Sequence, residues 1–168
     1  MKIDQINQFS KHEFLDAFSG IFEHSPWVAE QAFSMMPFIS MTDLHEKMVA
    51  IVSQASHEMQ LKLICAHPEL AGKAAIKKEL TEHSLNEQSG AGLDQCSAQE
   101  YELLQSLNAK YQLKFGFPFI LAVKGHNRQS IIENFSKRQD NEKSVEFLEC
   151  LQQIYKIAKF RLEVYEGL

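Results

Sequence analysis

His67 is the first residue whose type and position could do chemistry, because it stands directly before Pro68. Proline restricts the residue before it to extended backbone angles and suits the first turn of a helix, so we expect His67 at a helix N-cap. The mostly apolar residues 61–66 precede it, and a histidine leaving a buried helix is well placed to line a pocket. An imidazole titrates near neutrality, so His67 is a candidate general acid or base. The position also suits a capping or partly buried structural histidine.

Three polar residues follow at a helical spacing, Ser84, Glu87 and Gln88. Positions i, i+3 and i+4 share one face of a helix, so the three side chains can hydrogen-bond one ligand rich in N–H and C=O groups. Glu87 can pair with His67 or transfer a proton. A solvated helix face is the alternative interpretation of the same spacing.

Arg161 lies in the last predicted helix, seven residues after Ile154 and four before Tyr165. This spacing places its guanidinium close to the apolar stripe, where it needs an anionic partner or must extend to water. Arginine is suited to a bidentate grip on a carboxylate. The alternative is an arginine at the helix edge that pairs with Glu163 or another surface acid.

The apolar run 115–125 contains Gly116, Pro118 and Gly125 and does not look like helix interior. It is compatible with a buried strand, an extended segment or part of a helix. If it is buried and irregular, its N–H and C=O groups must be satisfied, and some of them can face a ligand.

The elements that must position these residues are predicted to be helices. Sustained strand alternation is absent, and helix-start signals recur along the sequence. They are the capping boxes Ser10-x-x-Glu13 and Ser97-x-x-Glu100, the pairs Ser25-Pro26 and Thr42-Asp43, Ser53 or Ser56, and Asp140 or Asn141. We therefore predict an all-α, single-domain bundle over residues 1–168. It should contain about seven or eight helices and one irregular buried segment, residues 117–123.

Composition excludes several classes of function. With 45% hydrophobic residues the 168-residue chain can bury a core, and its net charge of −5 argues against nucleic acid. The one short basic turn contains Lys73, Lys77 and Lys78. The three cysteines form no CxxC pair, the seven histidines form no HxxxH or HExxH pattern, and no nucleotide-binding glycine loop occurs. We expect neither a metal nor a cofactor.

No stretch is long and apolar enough for a signal peptide or a membrane span. We therefore expect a cytoplasmic protein without membrane association.

Three motifs give the chain a family resemblance. They are HPELAGK from position 67, SLNEQSGAGL from position 84 and KFGFPFILAVKG from position 114, with an N-terminal FxxxFxxIFEHSPWVAE segment from position 14. Together they resemble the decarboxylase of 2-oxo-4-hydroxy-4-carboxy-5-ureidoimidazoline (OHCU), a family acting in urate catabolism. The resemblance covers nearly the whole chain.

The resemblance implies an all-α fold, chemistry without a cofactor, a ureidoimidazoline substrate and a homodimer. It also implies residue roles. His67 is the catalytic histidine and Glu87 its acidic partner. The implied substrate-binding residues are Pro68, Ser84, Gln88, Arg161 and the main chain of Phe119, Ile120, Leu121, Ala122 and Val123.

The implied function is decarboxylation of OHCU to (S)-allantoin. One rival is a hydrolase acting on the preceding intermediate of the pathway, which would need an activated water. Another is a non-catalytic helical module that binds a small anion or a partner helix.

Overall fold

The computed structural model describes residues 1–72 and 80–166, and these ranges contain nine α-helices, one short 3-10 helix and no strand. The all-α prediction is confirmed, with somewhat more helices than expected. The basic turn at Lys73, Lys77 and Lys78 lies outside the described residues. No helix in the described ranges combines the length and hydrophobicity needed to cross a bilayer. The chain divides into two compact units, Met1–Ala66 with Tyr155–Leu168, and His67–Ile154.

The first unit is built around aromatic side chains. Its helices are α1 (Ile3–Ile6), α2 (Lys11–Phe18), α3 (Trp27–Phe33), α4 (Met41–Gln54), α5 (His57–Ala66) and the C-terminal part of α9 (Lys143–Glu166). The Phe14 ring lies 4.8 Å from Phe18 and 5.6 Å from Phe33, and Phe18 lies 5.3 Å from Tyr165. Aromatic pairs at these distances add to the free energy of burial.

The second unit has its own aromatic core. Its helices are α6 (Glu82–Gly90), α7 (Ala98–Phe115), α8 (Arg128–Arg138) and the N-terminal part of α9, with the 3-10 helix Leu93–Gln95 after α6. The fully buried Tyr111 contacts Phe115 at 4.5 Å and Phe119 at 5.3 Å. Phe119 in turn stacks on Phe135 with ring centroids 3.7 Å apart.

Local signals placed several helix starts correctly. Ser10 and Glu13 form a reciprocal capping box at α2, and Ser97 and Glu100 form one at α7. Ser56 accepts a hydrogen bond from the Met59 N–H in the first turn of α5, as the Ser56 alternative predicted.

Three other helix starts were predicted wrongly. Ser40, not Thr42, caps α4, because its hydroxyl accepts the Asp43 N–H. Helix α3 begins after Pro26, which occupies the N-cap in place of Ser25. Helix α9 begins at Lys143 rather than after Asp140 or Asn141.

The Asn141 side chain is engaged elsewhere, since it donates a 2.8 Å hydrogen bond to the buried Glu146 carboxylate. A capping box of Asn127 and Ser130 at α8 was not anticipated, because the residue at its third helical position is serine rather than glutamate or glutamine.

The prediction of an irregular buried segment is confirmed. Residues 117–123 form neither helix nor strand, and all seven of them are buried. Helix α7 ends at Phe115, and its C-cap Gly116 has a φ of 79°, a left-handed conformation that glycine adopts without strain.

Candidate active site

His67 is buried, with 7% of its surface exposed, and it lies in an irregular loop of residues 67–72. No helix begins at Pro68, so the prediction of a helix N-cap at His67 is wrong. The loop closes through a hydrogen bond from the Gly72 N–H to the Glu69 C=O at 3.2 Å. Ala71 has a φ of 50°, a conformation that costs a non-glycine residue free energy.

Gln88 holds this loop from helix α6. Its Oε1 accepts a 3.0 Å hydrogen bond from the Ala71 N–H, and its Nε2 donates a 3.3 Å hydrogen bond to the Glu69 C=O. One buried side-chain amide thus satisfies a donor and an acceptor of the loop backbone. Gln88 therefore shapes the loop that follows His67.

Two amides of helix α7 complete the hold on the loop. Gln105 Nε2 donates to the Ala71 C=O at 2.6 Å, and Asn108 Nδ2 donates to the Leu70 C=O at 2.9 Å. We call Gln88, Gln105 and Asn108 the amide clamp. The C=O groups of residues 69–71 accept hydrogen bonds from these side chains, whereas in a helix they would accept from main-chain N–H groups. This is the physical reason why no helix begins at Pro68.

The predicted polar face of α6 exists. Ser84 and Gln88 are buried, with 4% and 6% of their surface exposed, and Glu87 is half-buried. Thr81 caps the helix by accepting the Ser84 N–H at 3.3 Å. A fully solvated face is therefore excluded for Ser84 and Gln88. His67, Ser84 and Glu87 each have an interaction partner in the protein.

The irregular segment 117–123 is held by side chains from two helices. Arg138 of α8 donates from Nη1 to the Ile120 C=O at 2.6 Å. Gln153 of α9 accepts the Ala122 N–H at 3.0 Å. Both side chains are themselves buried. Neither contact uses the N–H or C=O of Leu121, which lies between the two held residues.

Arg161 belongs to the first unit and is 3% exposed. Its Nη2 pairs with Glu23 Oε2 at 2.8 Å, and its Nη1 donates to the Gly20 C=O at 3.1 Å. The alternative of an edge arginine paired with a surface acid is wrong, because Glu23 is as buried as Arg161. A charge this deep needs such a partner to offset desolvation.

A cavity of about 680 Å³ lies beside helix α6 in the second unit. Ala71 and Gln88 line it, together with Leu85, Asn86 and Ser89 on the side of α6 that carries the exposed residues. Neither His67, Glu87 nor residues 119–123 line this cavity. Among the described residues, no three His, Cys, Asp or Glu side chains are grouped closely enough to hold a metal ion.

The sequence singled out the side chains of His67, Ser84, Glu87, Gln88 and Arg161 and the segment 117–123. It missed the residues that support these side chains, the loop after His67 and the segment. These are Gln105, Asn108, Arg138, Gln153 and Glu23. Each reaches main chain or a charge far away in sequence, so no local spacing could have indicated it. Glu23 lies inside the N-terminal motif, which was the only indication in the sequence that Glu23 could support the site.

Comparison with known proteins gives one consistent family. The family model described as OHCU decarboxylase matches residues 7–163. The chain is 42% identical to the 2-oxo-4-hydroxy-4-carboxy-5-ureidoimidazoline decarboxylase of Haloferax volcanii, over 96% of this chain and 94% of that protein. It is 44% identical to the uric acid degradation bifunctional protein PucL of Bacillus subtilis, but spans only 32% of that longer protein.

Solved structures agree with this result. A crystal structure of (S)-allantoin synthase superposes with a TM-score of 0.76 at 28% identity, over 98% of this chain and 54% of that chain. An OHCU decarboxylase crystallised in the presence of (S)-allantoin superposes with a TM-score of 0.73 at 22% identity, over 89% of this chain and 97% of that chain. The second likeness supports the fold alone.

Proposed function

The chain belongs to the OHCU decarboxylase family, and we propose that it converts OHCU to (S)-allantoin in urate degradation. The observation that carries this proposal is the 42% identity to a protein of that name over nearly the full length of both chains. The buried His67 loop and the buried polar face of α6 supply side chains suited to the reaction.

The reaction needs little from the protein beyond positioning and proton transfer. When the bond to the carboxyl group breaks, CO2 leaves and the electron pair passes to the neighbouring ring C=N. The ring nitrogen that receives the electron pair takes up a proton. The carbon that bears the ureido group then gains a proton and the 4-hydroxyl loses one to become a carbonyl, so the reaction consumes one proton overall. The substrate supplies its own electron acceptor, so orientation and electrostatic stabilisation are the protein's share of catalysis.

His67, oriented by Glu87, engages the 4-hydroxyl beside the departing carboxylate. The depth of His67 suits this role, because a mostly water-excluded imidazole interacts more strongly with the reacting group. Either His67 or Glu87 delivers the proton to one face of the ring carbon, which gives a single enantiomer.

Ser84 and Gln88 hydrogen-bond the polar substituents of the substrate, and Pro68 contacts it beside His67. Gln88 combines this role with its hold on the loop, since its Nε2 carries two hydrogens and the Glu69 C=O accepts from that nitrogen. Arg161, held in place by Glu23, is a further anchor for the anionic substrate.

The main chain of residues 119–123 binds the ring amide groups. The side chains of Arg138 and Gln153 already engage the Ile120 C=O and the Ala122 N–H. The Leu121 N–H and C=O, which these contacts do not use, are the donor and acceptor offered to the ring, with Phe119 and Val123 flanking them. We further propose a cytoplasmic homodimer, and the family resemblance supports the dimer.

The test is incubation with freshly prepared OHCU, followed by CO2 release and the circular dichroism of the product. OHCU also decays without enzyme to racemic allantoin, so the handedness of the product separates catalysis from decay. We expect rapid formation of (S)-allantoin. Racemic product at the rate of buffer alone would overturn the proposal and favour the binding module, and consumption of the preceding intermediate instead would favour the hydrolase.

A further inference from the structure

We propose that Arg138 is a positioning residue for substrate binding, which fixes the main chain of residues 119–122 through a buried ion pair with Glu146. The inference rests on the proposed function of that main chain as a wall of the substrate site. Arg138 itself is not a catalytic residue, because it acts through the segment it holds.

Arg138 contacts the segment at two consecutive residues. Its Nη1 donates to the Ile120 C=O at 2.6 Å, and its guanidinium carbon lies 4.3 Å from the centre of the Phe119 ring. Phe119 is also stacked on Phe135, so its ring cannot shift alone. The guanidinium is thus both a hydrogen-bond donor to the segment and a packing surface for it.

Glu146 locks the guanidinium in place. Its Oε1 accepts from Arg138 Nε at 2.7 Å and also accepts the hydroxyl hydrogen of Tyr111, while its Oε2 accepts from Asn141 at 2.8 Å. Glu146 is completely buried, with 0% of its surface exposed. Residues of α7, α8, α9 and the turn before α9 therefore meet at one carboxylate, and this fixes the rotamer of Arg138.

At neutral pH the Arg138 guanidinium is charged, while the Tyr111 hydroxyl and the Cys150 thiol keep their protons. Burial lowers the pKa of the Arg138 guanidinium, but the hydrogen bonds and charge of Glu146 outweigh burial and raise it overall. Burial raises the pKa of the Tyr111 hydroxyl, which therefore remains a donor. Burial also raises the pKa of the neighbouring Cys150 thiol, to about 11, so this group stays neutral beside Arg138.

A buried ion pair is weak evidence for stability, because desolvation offsets much of the attraction and apolar residues of similar volume often serve as well. Here the ion pair fixes the position of the Arg138 guanidinium against residues 119 and 120. A segment without helix or strand needs side chains to satisfy its main chain, and Arg138 satisfies the Ile120 C=O.

Together with the Arg138 contact, the Gln153 contact fixes the direction of the polar main-chain groups of Leu121. In a trans peptide unit the C=O and the N–H point in opposite directions. Arg138 takes the Ile120 C=O, so the Leu121 N–H of the same peptide unit points away from Arg138. Gln153 takes the Ala122 N–H, so the Leu121 C=O of that unit points away from Gln153. The Leu121 N–H and C=O are thereby directed away from these two side chains, as a binding wall requires.

The test compares R138M with R128M. Arg128 is a matched control in the same unit, since it also pairs with a glutamate, Glu100 at 3.0 Å, and donates to a carbonyl, that of Gly92 at 3.2 Å. Arg128 is half-exposed, and its hydrogen bonds go to Glu100 and Gly92, outside residues 117–123. We expect R138M to lower kcat/KM for OHCU by about 10- to 100-fold, mainly through KM, and to reduce the excess of (S)-allantoin. R128M should stay within about twofold of wild type.

A second pair of variants covers the case in which R138M does not fold. Q153M removes the acceptor of the Ala122 N–H without creating a buried charge, and should reproduce the rise in KM. R138K keeps a cation that can donate to the Ile120 C=O but lacks the planar fork of the guanidinium, and should recover part of the activity. Wild-type KM and wild-type enantiomeric excess in R138M, or in Q153M where R138M is unfolded, would overturn the inference.

A readout independent of turnover separates this inference from the proposed function. Amide hydrogen exchange of the peptide covering residues 117–123 should accelerate in R138M and not in R128M. Unchanged exchange would overturn the positioning role even in an active enzyme. Faster exchange in R138M together with an inactive wild type would support the positioning contact and overturn the proposed function instead.

Discussion

His67 combines two properties that a catalytic imidazole needs, which are burial and a backbone whose position is set by neighbours. It is 7% exposed, and the loop after it is held by Gln88, Gln105 and Asn108. A side chain in such a loop loses little conformational freedom when the substrate binds. Its contribution should therefore appear in the rate of the chemical step rather than in substrate affinity.

Replacing His67 with alanine should lower kcat by about 10²–10⁴-fold, the usual contribution of a general acid–base residue. The measurement is the rate of (S)-allantoin formation at saturating OHCU, with far-ultraviolet circular dichroism as a check on folding. His12→Ala is the control, because His12 is exposed on α2 and should be replaceable without loss. A folded His67→Ala variant with wild-type turnover would remove His67 from the mechanism.

At the scale of elements, helices α6 and α7 act as supports for irregular backbone. Their side-chain amides satisfy the main chain of residues 69–71, as Arg138 and Gln153 do for residues 120 and 122. The helices thus hold the irregular segments in place, and the irregular segments can present main-chain N–H and C=O groups to a ligand. This division of roles is common where binding sites are built on loops.

Removing one residue of the amide clamp should lower both the stability of the protein and its kcat. Gln105→Leu leaves the buried Ala71 C=O without its donor, which should cost about 1–3 kcal/mol of the free energy of unfolding. Because the loop relaxes near His67, kcat should also fall, by up to about 100-fold. Chemical denaturation and steady-state kinetics measure the two effects.

Gln112→Leu is the matched control, since Gln112 is exposed on the same helix. Loss of stability without loss of kcat in Gln105→Leu would show that the clamp supports the fold but does not position His67.

The capping box at the start of α7 predicts a pH dependence. The Ser97 N–H and the Arg128 guanidinium both donate to the Glu100 carboxylate and hold its pKa below the ordinary value. A depressed pKa contributes stability that is present above the unfolded pKa, roughly 4.3 for glutamate, and is lost as the pH falls through the lower folded value.

Glu100→Gln should therefore destabilise the protein at pH 7, and its difference from wild type should shrink below about pH 4. Urea unfolding at pH 7 and in acid measures this, with Glu102→Gln on the exposed side of α7 as the control. An equal difference between Glu100→Gln and wild type at both pH values would mean that the carboxylate charge contributes nothing to the cap.

For the whole molecule, the sequence predicted those features of the fold that are determined by residues close together in the chain. The capping boxes at Ser10 and Ser97 involve residues three apart, and the irregular segment 117–123 follows from Pro118 between two glycines. The candidate side chains were found by spacing and by motif. The prediction of a helix N-cap at His67 failed because Pro68 marks a helix start only when the carbonyls that follow it are free to accept hydrogen bonds within a helix, and here side-chain amides occupy them.

Sequence could not supply contacts between distant residues. Asn108 reaches Leu70 across 38 positions, Gln153 reaches Ala122 across 31, and Arg161 reaches Gly20 across 141. No periodicity links such residues, because their proximity is decided by packing of the elements that carry them. Single-domain organisation of residues 1–168 also remains a prediction, beside the two compact units of the structure.

The central claim is that one ureide ring is held by side chains that lie far apart in the chain. A crystal structure of the protein soaked with (S)-allantoin tests this claim most directly. We predict one allantoin per chain, with His67 and Glu87 at the ring, the Leu121 main chain on its amide groups and Arg161 at a polar substituent. Allantoin bound only elsewhere, with the imidazole of His67 and the guanidinium of Arg161 at separate locations, would contradict it.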